Sequence, residues 1–181
     1  GEPNDGNGNA LVADNTVSIF FAEEQAGFMA GVATALQLKE GQLGFIGGME
    51  SPVISKFDYG FRAGVKAANP DAEVMVQYAN SFTDSALGKT IANQMHSKNA
   101  DIIFTCAGAV GIGAIEAAKE NGKKAIGVDQ DQNSLAPENV ITSAMKNIDV
   151  SVEEMLSKVV DGSYKGGEVI INTLAMNGVG I

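Results

Sequence analysis

The sequence predicts an open, doubly wound parallel α/β sheet. Three observations lead there. From Thr16 onward, short β-branched or aromatic runs alternate with longer stretches of helical spacing. The run at 43–46 is of the buried type, as expected of a strand covered on both faces. Strands separated by helices pair in parallel through right-handed crossovers. With 181 residues, 45% of them hydrophobic and 19% charged, the chain can bury the core such a sheet needs.

Each element has its own signal. Residues 16–21 (TVSIFF) read as a strand, and 24–39 as a helix through Phe28, Val32, Ala35 and Leu36. The strand 43–46 ends in Gly47-Gly48, and Ser51-Pro52 open a helix with proline at its first position. Phe57, Phe61 and Val65 form one stripe of that helix, which stops before Asn69-Pro70. The next strand is 73–78, followed by a helix capped by Asp84 and carrying Leu87, Ile91 and Met95. Strand 101–105 leads into a Gly-rich turn and a helix through Ile112, Ile115 and Ala118, ended near Gly122. Strands follow at 125–128 and 140–145. A last helix opened by Asp149 is expected to turn Val152, Leu156 and Val159 inward before Gly162 ends it. The final strand is 168–174.

The formal net charge is −10 and no basic run interrupts it, which argues against a nucleic-acid partner. No apolar stretch approaches the ~18 residues of a membrane-spanning helix. Cys106 is the only cysteine, so no intrachain disulfide forms, and composition leaves the compartment open. Residues 1–15, rich in Gly, Asn and Asp, read as a loop leading straight into a strand. That start is expected of a fragment trimmed upstream.

In open parallel sheets ligands bind beyond the carboxyl ends of the strands. The segments there are Gly47-Gly48-Met49-Glu50, Ala79-Asn80-Ser81-Phe82, Cys106-Ala107-Gly108, Asp129-Gln130-Asp131 and Lys146-Asn147. An aromatic, carboxylates, an ammonium and amides together suit a polar ligand with a flat apolar part.

Catalytic and metal chemistry lacks its residues. His96 is the one histidine and lies within a helix, so no His/Cys metal cluster is expected, nor a resident cofactor. Cys106 reads as a small buried hydrophobe. Gly88-Lys89-Thr90 resembles the end of a phosphate loop, but Thr83 stands where its glycine is required. Gly111-Ile112-Gly113 resembles a dinucleotide fingerprint interrupted at Glu116, and its glycines read more simply as a tight strand–helix turn. An enzyme is not expected.

Ordered segments carry a family resemblance. They are Glu24-Gln25-Ala26-Gly27-Phe28-Met29-Ala30-Gly31, Gly44-Phe45-Ile46-Gly47-Gly48-Met49 with Pro52-Val53-Ile54, and Phe57 with Gly60-Phe61 and Ala63-Gly64. Ser81-Phe82 with Asp84 and Gly88-Lys89, Ala100-Asp101-Ile102-Ile103-Phe104 and Ile126-Gly127-Val128-Asp129 follow in order. Together they resemble the basic membrane protein family of solute-binding lipoproteins, which includes purine nucleoside receptors of ABC importers. The likeness runs from about Val17 to Ile181.

The resemblance implies a type I periplasmic-binding fold of two Rossmann-like lobes, with most of the first lobe absent here. Residues 16–23 are then a crossover strand, 24–161 the second lobe, and 162–181 a return toward the first. It also implies a purine nucleoside ligand, an ABC permease partner and an extracytoplasmic location, either periplasmic or lipid-anchored through an upstream cysteine. By the same likeness Phe82 stacks on the base, Asp129 holds ribose hydroxyls and Lys146 lies near the ligand, with Met49 and Gly108 as wall and backbone contacts. Asn147 departs from the basic residue common in relatives. Two alternatives stay open: an effector-sensing domain of a transcription regulator, and a nucleotide-dependent oxidoreductase domain.

Overall fold

The computed structural model describes residues 3–38 and 41–181. Its strands are β1 (Val17–Phe21), β2 (Gln42–Gly47), β3 (Val74–Tyr78), β4 (Ala100–Cys106), β5 (Lys124–Asp129), β6 (Val140–Lys146), β7 (Glu168–Asn172) and β8 (Val179–Gly180). Its helices are α1 (Glu23–Gln37), α2 (Pro52–Ala68), α3 (Ser85–Ser97), α4 (Ala109–Glu120) and α5 (Ile148–Asp161). Lys39, the expected last residue of the first helix, lies outside the described residues.

The main sheet has the order β3-β2-β4-β5-β6-β8, and every neighbouring pair is parallel except β6–β8. After β2 the chain goes to one side for β3, then crosses back to β4 on the other side. The reversal makes β2/β4 the topological switch point, the place where open α/β sheets bind their ligands. The order and direction match the predicted open parallel sheet. The first strand, β1, lies outside this sheet and pairs with β7, in parallel, as a separate two-stranded ribbon.

Alternation along the central strands divides the core. Leu43 and Phe45 of β2 and Ile102 and Phe104 of β4 face α1 and α2, meeting Phe57, Phe61 and Val65. Ile46 and Ile103 face the opposite way and meet α3 and α4 through Ile91, Met95, Val110 and Ala114. Phe45, Phe61 and Phe104 pack ring against ring with centroids 5.1–6.3 Å apart. Caps behave as their residues predict: Ser51 Oγ accepts from the Ile54 amide, and Asp84 Oδ1 accepts from Leu87 at 2.9 Å.

Several expectations change. In α1 the buried stripe is Ala26, Gly27, Ala30, Gly31, Thr34 and Ala35, while Phe28 and Leu36 are exposed. Small residues win that face because α2 comes too close for larger ones; a Cβ on Gly64 would lie 2.1 Å from the Phe28 carbonyl oxygen. Gly111 and Gly113 form no turn. They lie inside α4, and a Cβ on Gly113 would sit 1.9 Å from the Ser85 carbonyl oxygen of α3. Lys89 and Glu116, read against nucleotide motifs, are ion-paired across the same two helices at 3.3 Å.

The largest departure is α5. Val152, Leu156 and Val159 do not point inward: they are 45%, 60% and 57% exposed, and Ser151 is the helix's buried residue. The period was read correctly, but α5 leaves the sheet and nothing among the described residues covers its apolar stripe. The last expected strand stops at Asn172, because residues Leu174–Met176 form a 3-10 turn that brings β8 back against β6.

Candidate functional site

The five polar segments do end parallel strands at one edge. Gly48 follows β2 and its amide donates to the Cys106 carbonyl at 3.0 Å, joining the ends of β2 and β4 at the switch point. Phe82 follows β3, yet its loop crosses the end of β2: its carbonyl accepts from the Ala109 amide at the start of α4, at 2.8 Å. The Ser81 hydroxyl accepts from the amides of Thr83 and Asp84, both at 3.2 Å, and tightens the loop. Gly108 takes φ 57°, a conformation suited to glycine, and a Cβ there would lie 2.8 Å from the Phe82 carbonyl oxygen. Phe82 stays 39% exposed and Met49 49% exposed.

Two strands away, Asp129 and Lys146 form an ion pair. Asp129 ends β5, Met145 of β6 lies opposite it in register, and Lys146 is the next residue. Lys146 Nζ lies 2.9 Å from Asp129 Oδ1, with side-chain exposures of 16% and 54%. The ammonium also lies 5.7 Å from the centroid of the Phe57 ring. A hollow of about 430 Å³ opens here, lined by Asp129, Gln130, Asp131, Lys146 and Asn147 among others.

The backbone at Asp129 is unusual. It has φ 67°, and the Gln130 amide donates to the Val128 carbonyl at 2.8 Å, making a three-residue turn around it. A non-glycine residue in this region is strained, and such strain collects at functional sites. Gln132 and Ser143 hold the turn. Gln132 Oε1 accepts from the Val128 amide at 2.9 Å, and the Gln132 amide donates to Ser143 Oγ at 3.0 Å. Sequence reading missed both residues, since neither belongs to a motif. Gly127 was the available signal: a Cβ there would lie 2.5 Å from Ser143 Oγ.

Beside the switch point, the buried Asp58 accepts from Arg62 Nε at 2.8 Å and from the Tyr78 hydroxyl at 3.4 Å. Burial and the Asp58 charge raise the Tyr78 pKa, so its hydroxyl keeps its proton. Burial also pushes the Cys106 thiol well above its ordinary value, with Asp129 adding to the effect. A protonated, buried thiol is a poor nucleophile. Among the described residues no group of His, Cys, Asp and Glu could hold a metal ion, and no helix is long and apolar enough to cross a membrane.

The structure thus brings Phe82, Gly48 and Gly108 together at the switch point, and Asp129 with Lys146 two strands away. Met49 lies beside the first group through Gly48. Asn147 lines the hollow beside the Asp129–Lys146 pair, its side-chain amide donating to the Asn177 carbonyl at 2.7 Å.

Comparison with known proteins adds a family. The family model described as ABC transporter substrate-binding protein, PnrA-like, matches residues 4–181. Basic membrane protein B of Borreliella burgdorferi is 42% identical over 88% of this chain and 48% of its own length. The ABC transporter nucleoside-binding protein BmpA of Lactococcus lactis is 38% identical over 91% of this chain and 52% of its own. A crystal structure of an ABC transporter solute-binding protein from Aeropyrum pernix superposes with a TM-score of 0.85 at 29% identity, covering 94% of this chain and 50% of that one. The chain therefore spans about half the length of the relatives it matches.

Proposed function

The chain belongs to the family of PnrA-like ABC transporter substrate-binding proteins, and from that membership we propose that it forms one wall of a cleft that captures a purine nucleoside outside the cytoplasm. Phe82 stacks on the base, and Asp129, held by Lys146, accepts hydrogen bonds from the ribose hydroxyls. Met49 and the Gly108 backbone complete the wall. A second lobe, equivalent to the unmatched half of the relatives, closes over the ligand, and an ABC permease receives it. A lipid anchor upstream of the lobe tethers the receptor. The reading makes the protein a binder without turnover: the Cys106 thiol is buried and keeps its proton, and His96 lies in α3 with its ring bonded to the Ala100 carbonyl.

One observation carries the reading. A seated aromatic and an ion-paired, strained carboxylate share the carboxyl edge of one sheet, an arrangement suited to a ligand with a flat apolar end and a hydroxyl-bearing end. The uncovered stripe of α5 adds support. Its exposed Leu156 and Val159 suit burial against the other lobe, so we place the lobe boundary before α5 rather than at 161.

Calorimetric titration of the two-lobed receptor with guanosine, guanine and ribose tests the reading. Guanosine is expected to bind more tightly than either part. Ribose binding as tightly as guanosine would remove the base from the recognition and leave a sugar receptor.

A further inference from the structure

Phe82 is placed by two glycines. A Cβ at Gly48 would lie 2.2 Å from Phe82 Cε1 and 2.3 Å from Cδ1, so the ring rests directly on the backbone of residue 48. On the other side of the loop, the Gly108 position leaves 2.8 Å to the Phe82 carbonyl oxygen, which accepts from the Ala109 amide at 2.8 Å. The main chain of Phe82 is therefore pinned to the start of α4, while its ring lies across the end of β2. The ring can occupy that place only because residue 48 has no side chain.

Resting on the nucleoside reading above, we propose that Gly48 is a positioning residue: it seats the Phe82 ring at the switch point before ligand arrives and so sets the plane against which a flat base stacks. Two features make the role selective. The ring is a side-chain end with solvent beside it, at 39% exposure, so a methyl group at 48 moves the ring rather than the strand. The Gly48 amide bond to Cys106 survives the change, since only the Cα substituent differs. Gly108 cannot serve as the test position, because φ 57° makes any substitution there strain the backbone as well.

The experiment uses Gly48→Ala in the full chain, alone and with Phe82→Ala, and 4-fluorophenylalanine at position 82 as a reporter. The fluorine resonance of the reporter is expected to shift in Gly48→Ala without ligand. Guanosine affinity is expected to fall about tenfold or more, the scale of a lost base–aromatic stack. In the Phe82→Ala background, Gly48→Ala is expected to change affinity by less than about twofold, since no ring remains to displace. If Gly48→Ala lowers the melting midpoint, adding Phe82→Ala should restore it. An unmoved fluorine resonance overturns the proposal, and so does an equal loss of affinity in both backgrounds. A moved resonance with unchanged affinity also overturns it while leaving nucleoside binding intact. Should the unsubstituted protein bind no nucleoside at all, the functional reading falls, and the fluorine signal alone decides whether Gly48 seats the ring.

Discussion

Lys146 Nζ stands 2.9 Å from Asp129 Oδ1, and the two residues come from adjacent parallel strands at the edge where polar segments collect. Asp129 is about half exposed, so water screens the pair and its contribution to folding is small, about 0–1 kcal/mol. The arrangement matters more for what it offers a ligand. A carboxylate held on one side by an ammonium keeps lone pairs free for hydroxyl donors on the other.

Lys146→Met should therefore separate folding from binding. The unfolding free energy is expected to change by less than about 1 kcal/mol, while guanosine affinity falls clearly as Asp129 loses its partner. Urea titration and calorimetry on the same sample check both. A large loss of stability with unchanged affinity would make the pair structural.

Phe82 and Asp129 should differ in which ligands they affect. Phe82→Ala is expected to weaken guanosine and guanine alike by roughly 1–3 kcal/mol. Asp129→Ala removes charge-assisted bonds of about 1.5–3 kcal/mol and should weaken guanosine while sparing guanine, which has no ribose. Titration of each variant with both ligands is the measurement. Equal weakening of both ligands in Asp129→Ala would show that the carboxylate reads the base.

Gly64→Ala should destabilise the fold without touching the site. The new methyl would meet the Phe28 carbonyl oxygen at 2.1 Å, a backbone atom of the facing helix, so α1 and α2 must move apart. Overpacking of this kind costs about 1–3 kcal/mol, and thermal denaturation reads it. Leu156→Ser on the uncovered face of α5 should change the stability of this chain by no more than about 0.5 kcal/mol.

His96 gives the fold an acid-sensitive point. Its Nδ1 lies 2.8 Å from the Ala100 carbonyl oxygen, so the neutral ring donates there, and Nε2 is buried with no partner among the described residues. Burial lowers its pKa; the Ala100 bond opposes that, and the ion-paired Lys123 and Asp101 nearby pull in opposite directions. Above the ordinary histidine value of about 6.5, both folded and unfolded states hold the ring neutral and this contribution is complete. As pH falls below that value, the unfolded chain takes up a proton first, and stability drops until the lower folded-state pKa is passed. Unfolding midpoints in urea between about pH 7 and 5 should show the fall, and His96→Gln should flatten it. An unchanged slope in the variant would assign the effect to other groups.

Nucleosides should pass through the receptor unaltered. Incubation with adenosine, guanosine and inosine, followed by chromatography for free base, is expected to match the spontaneous rate. Base release that disappears in Asp129→Ala would make the carboxylate catalytic.

Residue patterns alone predict the five helices, the parallel sheet and the edge that gathers Phe82, Asp129 and Lys146. Those follow from local rules: period, capping residues at Ser51 and Asp84, and the handedness of crossovers, which together put every strand-end loop on one side. Packing between distant segments supplies what local patterns do not encode. The 3.6-residue period of α5 is the same whether Leu156 meets a sheet or water, so burial depended on where the helix went after β6. Gly111 and Gly113 resemble turn residues because a glycine pair states only that a side chain is unwelcome; at Gly113 the reason is Ser85 of the facing helix α3, and at Gly111 it is the Thr105 side chain of β4. Gly48 beneath Phe82, and Gln132 with Ser143 beneath Asp129, are contacts across strand ends. Their partners are distant in sequence or share no period, so only the closed sheet brings them within reach.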